Sequence, residues 1–344
     1  MAKKSTEDKI KSKVKSKAKS HVKRKVRNKV RKSPIIIAIL LVLAVAAVLM
    51  WNFGEQWFGI SLPDMLGVGG QQSVEPAPEP SDGEVLFHFI DVGQGDAILI
   101  TSKSGNMLID TSEAGERDKL VSYLDRANVK SFKYVVFTHT DADHIGSADY
   151  IVQNYDIENV ILPDFVATTK TYERMMDAIE QKIENNGLNL ILVGHDEDCQ
   201  HVGYTFRLGS LVNTILSPVK NYKDPNDMSI VIKSTYGSTS VMLTGDAEIT
   251  PETDILKTWS KSDLKCNVLK VGHHGSSTST TKAFLEAVDP TIAVISCGEG
   301  NKYGHPHDEV MSRLEAKGIK IYRTDTDGTV VLRTDGKVIT YVEK

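Results

Sequence analysis

Cysteine is scarce in this chain of 344 residues, which carries three, at positions 199, 266 and 297. An odd number cannot be fully paired within one molecule, so the fold is not a disulfide scaffold. The three positions also lack the C-x-x-C spacing that is typical of a structural zinc site. We therefore expect Cys199, Cys266 and Cys297 to be small buried residues that pack like apolar side chains.

Several enzyme motifs are absent as well. The sequence contains no phosphate-binding loop of the G-x-x-x-x-G-K-[ST] type and no dinucleotide-binding fingerprint, so no nucleotide cofactor is expected. It contains no serine or cysteine nucleophile motif either. A hydrolase with this sequence would therefore use an activated water rather than a side-chain nucleophile.

Acidic residues are almost missing from the first part of the chain. Residues 1–32 contain 15 Lys and Arg residues and two acids, a formal charge of +13. The remainder carries 26 basic and 43 acidic residues, a formal charge of −17. The tail places an apolar residue at every fourth position from Ile10 to Val30. It either lies on anionic lipid as a weak amphipathic helix or is a solvated charge run that sets topology.

The run "PIIIAILLVLAVAAVLMW" at residues 34–51 has no charged residue at all. A helix of this length spans roughly 27 Å, close to the hydrocarbon thickness of a bilayer. We predict a single transmembrane helix, with the basic flank in the cytoplasm and the C-terminal body outside the cell membrane. A cleaved signal peptide is the alternative, but its charged segment is normally short and is followed by a small-residue cleavage site.

The chain is thus predicted to have a basic tail at 1–33, a transmembrane helix at 34–51, a membrane-proximal segment with a Pro/Glu-rich linker at 52–83, and one folded domain at 84–344. Within that domain the strand patterns form two groups, which begin at "VLFHFIDV" and "YTFRL". Each group is followed by segments with helical patterns. This order predicts two sheets packed face to face with helices outside, a four-layer α/β/β/α sandwich.

Metal-binding side chains are concentrated in "FTHTDADHIGS", directly behind the apolar strand pattern "YVVF". Alternate residues of an extended turn project the same way, so His139, Asp141 and Asp143 can converge while His144 follows into a helix. Imidazole and carboxylate together suit Zn²⁺, Mn²⁺ or Fe. The alternative is a helix cap made by Asp143. A cap would explain one aspartate but neither histidine.

Three further motifs end strand-like runs. Asp246 in "VMLTGDAE" follows a strand through a glycine, and the alternative to a site residue is an ordinary turn aspartate. In "VGHHGS" adjacent histidines cannot point the same way, so one is expected to bind metal while the other faces substrate or supports the metal ligands. In "CGEGNKYGHPHDEV" His307 is placed to begin a helix, which leaves His305 as the better ligand.

These motifs resemble those of a known family. The H-x-D-x-D-H-x-G stretch is similar to the signature of the metallo-β-lactamase superfamily, whose fold is the α/β/β/α sandwich. "FIDVGQGDAILI", "LTGDAE", "KVGHHGS" and "YGHPH" occur in the same order as in the exported metallo-hydrolase domain of the ComEC competence proteins. The resemblance covers about residues 85–344 and does not extend to a polytopic channel. It implies that Asp246 bridges two divalent ions and that Asp110 braces the metal loop.

One feature departs from the superfamily pattern. The loop that usually carries a third histidine ligand reads "DPNDMS" here, and His195 and His201 lie in a polar loop without strand context. We expect the Gly-His-His-Gly turn to compensate. One ion would then take His139, Asp141 and His274, the other Asp143, His144 and His305, with Asp246 shared. The additional carboxylates make Mn²⁺ a competitor to Zn²⁺.

The resemblance implies a phosphodiesterase that degrades DNA outside the membrane. Asp143, Asp246 and His273 are the catalytic candidates, and Lys302 and Gln94 are the candidates for substrate binding. The body charge of −17 is unusual for a DNA-binding surface. It equally suits a surface esterase that acts on a phosphodiester with a cationic, phosphocholine-like head group. A non-catalytic metal-binding scaffold is the alternative from a different class.

Overall fold

Fifteen β-strands occur in the computed structural model, which describes residues 75–342. In chain order they are β1 (Val85–Phe89), β2 (Ile98–Ser102), β3 (Gly105–Ile109), β4 (Ser131–Val136), β5 (Asp156–Pro163), β6 (Asn189–Val193), β7 (Thr205–Leu208), β8 (Leu211–Ser217), β9 (Val231–Tyr236), β10 (Thr239–Leu243), β11 (Val268–Lys270), β12 (Ile292–Ile295), β13 (Lys320–Arg323), β14 (Val330–Thr334) and β15 (Ile339–Tyr341). They form an eight-stranded sheet in the order β15-β14-β1-β2-β3-β4-β5-β6 and a seven-stranded sheet in the order β13-β12-β11-β10-β9-β8-β7.

The same residues contain nine α-helical segments: α1 (Arg117–Arg126), α2 (Ala142–Ile145), α3 (Ala148–Asn154), α4 (Lys170–Asn186), α5 (Ile249–Thr258), α6 (Lys261–Leu264), α7 (Lys282–Val288), α8 (Asp308–Ala316) and α9 (Thr324–Asp327). The ends of the longest helix follow from its sequence. The Thr169 side chain accepts a hydrogen bond from the Tyr172 N–H at the start of α4, and Gly187 ends the helix in the left-handed conformation at φ 71°.

Alternating burial along the strands produces four layers. In β2 the side chains of Ile98 and Ile100 join the core between the two sheets, whereas Leu99 packs toward the helices on the other face. In the second sheet Val268 faces the same central core and Leu269 packs toward the opposite helices. The predicted α/β/β/α sandwich is therefore confirmed for the described residues.

The predicted segments near the N-terminus are not covered. The basic tail, the transmembrane helix at 34–51 and residues 52–74 lie outside the described residues, so they stay predictions. Within residues 75–342, no helix is long and apolar enough to cross a membrane. The described chain joins the core at Ala77, which is buried and donates its backbone N–H to Arg126 O at 3.1 Å.

The cysteine prediction is confirmed. Cys199, Cys266 and Cys297 are all buried and all free. Burial raises the pKa of each thiol to about 12, so these side chains are neutral and pack as small apolar groups.

The strand order brings the polar loops to one edge of the sandwich. β3 runs parallel to β4 in the first sheet, and β10, β11 and β12 are parallel to one another in the second. Because parallel strands end at the same edge, the loops that follow these five strands lie together. These loops carry all seven predicted metal ligands.

Candidate metal centre

The loop after β4 presents its metal-binding residues at the start of a short helix. α2 begins at Ala142, with Asp141 at the N-cap position and Asp143 inside the first turn. The Asp141 side chain makes no capping hydrogen bond. Asp143 therefore does not cap the helix, and capping does not account for either carboxylate.

Two imidazoles from different sheets point at each other across the site. His144 Nδ1 donates to Asp110 Oδ2 at 2.8 Å, and His274 Nδ1 donates to the backbone oxygen of Ser296 at 2.8 Å. The Nδ1–H of each ring is thus donated away from the other ring. The Nε2 atom of each ring therefore has a lone pair that faces into the site. The two Nε2 atoms are 3.3 Å apart. Two free nitrogen lone pairs at this separation repel unless a proton or a metal cation lies between them.

Two carboxylates complete this cluster. Asp143 Oδ2 lies 3.4 Å from His274 Nε2, and the two oxygens of Asp246 lie 3.3 Å from His144 Nε2 and His274 Nε2. One ligand atom from each of these four residues lies within 4.8 Å of every other. This set of two imidazoles and two carboxylates fits Zn²⁺ or Mn²⁺.

The electrostatics also favour a cation. Burial alone would lower the pKa of His274, but Asp246 and Asp143 raise it to about 9. Burial likewise opposes a charged His144, yet Asp246 and Asp110 raise the pKa of that ring well above its usual value. In the absence of metal, His144 and His274 are therefore protonated. A metal ion bound by the neighbouring carboxylates would replace these protons.

His139 lies beside this cluster and is 1% exposed. Its Nδ1 donates to Thr138 Oγ1 at 3.1 Å, and its ring is 4.1 Å from the His144 ring. Within the described residues, the buried His139 Nε2 and the buried Asp246 Oδ1 have no hydrogen-bond partner. Burial lowers the pKa of His139 well below its usual value, so the ring is neutral and its Nε2 lone pair is available to a metal.

Asp110 orients both histidines of the β4 loop. It accepts from His144 Nδ1 directly, and its Oδ2 accepts from Thr138 Oγ1 at 2.6 Å. Since Thr138 Oγ1 in turn accepts from His139, one buried carboxylate fixes the tautomers of two rings. The bracing role that the resemblance implied for Asp110 agrees with this hydrogen bonding.

Replacing Asp110 by asparagine should weaken metal binding without removing a ligand. An amide nitrogen turned toward His144 would compete for the proton that orients the ring, so we expect a loss of about 10- to 100-fold in metal affinity. Competition with a chromophoric chelator measures this loss. The matched control is Asp289→Asn, because Asp289 is an exposed acid that pairs with Lys265 at 3.1 Å. An unchanged affinity in Asp110→Asn would show that this brace is not needed.

The structure groups the predicted ligands differently from the sequence assignment. His274 lies with Asp143 and His144, whereas the sequence placed it with His139 and Asp141. Asp141 is partly exposed, and His305 is half-buried with its ring 6.3 Å from that of His274. Neither belongs to the four-residue cluster. Asp143, His144, Asp246 and His274 are thus the four residues that could together hold one metal ion.

The loop without the third histidine contributes a hydroxyl. Ser229, the last residue of "DPNDMS", places its Oγ 3.4 Å from His139 Nδ1 and accepts from the Asp246 N–H at 3.1 Å. Ser229 therefore lies between the β4 loop, which carries His139, and the β10 loop, which carries Asp246. His195 and His201 are exposed and pair with each other, with ring centroids 5.8 Å apart, so they do not supply the missing ligand.

The remaining candidates lie on the open side of the cluster or in its walls. His273 Nδ1 donates to Glu248 Oε1 at 3.0 Å, and its Nε2 is 3.8 Å from Asp246 Oδ2. Lys302 is exposed on the loop before His305. The Gln94 side chain instead accepts from the Gly298 N–H at 3.2 Å and joins two loops of the wall.

Backbone strain is concentrated here. The adjacent His273 and His274 both adopt left-handed conformations, at φ 46° and 53°, and Asp110 does so at φ 59°. Such conformations cost of order 1–3 kcal/mol each when the residue is not glycine. A glycine allows two of these loops to approach closely. A Cβ at Gly95, which has φ 124°, would overlap the carbonyl oxygen of Asp143. This close approach explains the second glycine of "DVGQGD".

Sequence reasoning missed two buried ionisable residues, Lys270 near the cluster and Glu252 behind a loop of the site. Lys270, at the end of β11, is fully buried, and its Nζ lies 2.6 Å from Asp96 Oδ2. Asp96 Oδ1 in turn lies 3.7 Å from His274 Nδ1. A lone lysine at the end of the apolar pattern "CNVLKV" was the available signal. Glu252 is also buried and accepts from the backbone of Thr280 and Thr281, which holds the loop that follows His274.

The fold and the site define a metallo-hydrolase of the lactamase type. Residues 90–299 match the model of the metallo-β-lactamase superfamily, and the chain belongs to that superfamily, as predicted. It is similar to ComE operon protein 3 of Bacillus subtilis, with 30% identity over 76% of this chain and 34% of that protein. It is also similar to Competence protein ComA of Neisseria gonorrhoeae, with 29% identity over 85% of this chain and 38% of that protein.

A third relative is Recombination protein 2 of Haemophilus influenzae, with 32% identity over 70% of this chain and 28% of that protein. The resemblance to a competence-protein domain is thereby confirmed. The matched regions make up 34%, 38% and 28% of the length of these curated relatives. The chain thus spans only about a third of their length.

Proposed function

We propose that this chain is a metal-dependent phosphodiesterase whose substrate is DNA. The observation that carries the proposal is the convergence of His144 Nε2 and His274 Nε2 on the carboxylates of Asp143 and Asp246. The names of two relatives, Competence protein ComA and Recombination protein 2, support DNA over other phosphodiesters.

Each side chain has a distinct role in this proposal. Asp143, His144, Asp246 and His274 would hold one divalent ion, and His139 and Asp141 a second, with Asp246 shared. Bound ions of this kind activate water near neutral pH and stabilise charge on the phosphate. His273 is held by Glu248 with its Nε2 toward Asp246, where it can pass a proton to the leaving oxygen.

The location is part of the same proposal. With the predicted helix at 34–51 in the membrane and the basic tail at 1–33 in the cytoplasm, the hydrolase domain would act outside the cell membrane. The tail would then touch anionic lipid on the far side from the substrate, and it could not supply a cationic surface for DNA.

Metal analysis and a generic substrate test the proposal together. The full chain should contain about two Zn²⁺ or Mn²⁺ ions and hydrolyse bis(p-nitrophenyl) phosphate, and a chelator should remove the activity. Single-stranded DNA and a choline phosphodiester are then compared as substrates. Faster hydrolysis of the choline diester would identify that compound, rather than DNA, as the substrate class. A folded chain with neither metal nor turnover would favour the scaffold function instead.

A further inference from the structure

Large apolar side chains are rarely exposed in the described residues, yet two of them lie beside the metal centre. The four that are exposed are Val166 at 45%, Ile249 at 50%, Tyr303 at 53% and Val338 at 59%. Ile249 directly follows Glu248, the partner of His273, and donates its backbone N–H to Thr278 O at 2.9 Å. Tyr303 lies on another loop, where its ring stacks on that of His305.

Tyr303 is connected to the metal centre by a series of rings. Its ring stacks on the His305 ring with centroids 5.6 Å apart and an interplanar angle of 22°. The His305 ring lies 5.5 Å from that of His273. The partly exposed Tyr303 ring is thus connected through His305 to His273, the side chain that faces Asp246.

Hydrogen bonds hold this aromatic residue in place. The Asn301 Oδ1 accepts from the N–H groups of Tyr303 and His305 at 3.2 and 3.0 Å, and its Nδ2 donates to Gly298 O at 2.9 Å. His307 Nε2 donates to Tyr303 O at 3.2 Å. A loop restrained in this way can bind a flat ligand with little loss of conformational entropy.

The charge next to the ring selects the type of ligand. Lys302 Nζ lies 4.9 Å from the centre of the Tyr303 ring. A cationic head group at this ring would meet a like charge. Lys302 lies over this ring, so a nucleobase stacks on the ring when the flexible Lys302 side chain turns to pair with the neighbouring phosphate.

We propose that Tyr303, together with Lys302 and Ile249, binds the nucleobases on either side of the scissile phosphodiester in a single-stranded nucleic acid. This inference rests on the proposed function. Base stacking on Tyr303 positions the strand, and Ile249 provides a second apolar contact near His273. The preference for bases is sequence-tolerant, because every base has a stacking face.

The test compares oligonucleotides that carry bases with oligonucleotides of the same length that contain abasic positions. In the full chain, Tyr303→Ala should raise KM for the base-bearing strand by about tenfold, as expected for the loss of one stacked base. Tyr303→Phe should keep the wild-type KM, and the abasic strand should not distinguish Tyr303→Ala from wild type. Val338→Ala is the matched control, because Val338 is also exposed. It lies on the turn between β14 and β15, at the opposite end of β14 from Thr329, whose side chain binds the Asp91 loop.

Two outcomes would overturn the inference. An equal rise in KM for base-bearing and abasic strands would mean that Tyr303 supports the site rather than the base. An unchanged KM with both strands would mean that the ring does not touch substrate. Wild-type turnover of bis(p-nitrophenyl) phosphate in the same preparation separates these results from failure of the proposed function, in which that turnover is absent.

Discussion

Asp246→Asn is expected to abolish hydrolysis and to lower the metal content of the chain. The Asp246 carboxylate contacts both His144 Nε2 and His274 Nε2 at 3.3 Å, and its side chain is 4% exposed. The substitution would remove the ligand that the two proposed ions share, together with a negative charge that favours cation binding. Metal-based stabilisation amounts to several kcal/mol of the barrier, so turnover should fall by at least about 10³-fold.

The measurement combines steady-state turnover of a diester with elemental analysis of the purified chain. Asp289→Asn, an exposed Asp-to-Asn change, should retain both wild-type turnover and wild-type metal content. Circular dichroism establishes that the Asp246 variant is folded. Wild-type turnover in a folded Asp246→Asn variant would contradict the shared-ligand role.

The second large effect concerns stability and comes from Lys270. Its ammonium group is fully buried against Asp96, which is 1% exposed. Burial alone would lower the pKa of Lys270, but Asp96 and Asp246 raise it, so the group is charged in the folded protein. Lys270→Met would leave a buried carboxylate without its cation. We expect the free energy of unfolding to fall by about 3–5 kcal/mol.

A double-mutant cycle in urea, with chelator present, tests this expectation. Asp96→Asn combined with Lys270→Met should recover part of the lost stability, because neither charge is then buried alone. Lys282→Met is the matched control. Lys282 is 83% exposed in its pair with Glu286, and such surface pairs contribute about 0.3–0.5 kcal/mol. Additive effects of the two core substitutions would show that Asp96 and Lys270 are not coupled.

The buried pair also explains how the centre accommodates so many carboxylates. Asp96, Asp110 and His144 offer a second group of ligand atoms within 4.8 Å of one another, and this group shares His144 with the first cluster. Lys270 supplies a permanent positive charge at this place. The protein thereby offsets repulsion among the carboxylates before any metal binds.

Sequence patterns predicted the local structure well because those patterns are themselves local. The run "FTHTDADHIGS" brings four metal-binding residues within one strand end and one helical turn, so no other part of the chain is needed to place them together. The helical patterns expected after the strand groups occur as helices, among them α1 and α7. Alternating apolar residues determined which strand faces are buried, and hence the layered sandwich.

Tertiary structure alone decided which loops meet. β14 and β15, from the end of the chain, join the first sheet beside β1 rather than the second sheet that precedes them. The parallel pairing of β10 and β11 places His274 against Asp246, and packing of the two sheets then brings both to Asp143 and His144. Lys270, at the end of β11 in the second sheet, meets Asp96 in the loop before β2 of the first sheet in the same way. Sequence spacing carries no information about such contacts, because they depend on strand order and sheet packing rather than on neighbouring residues.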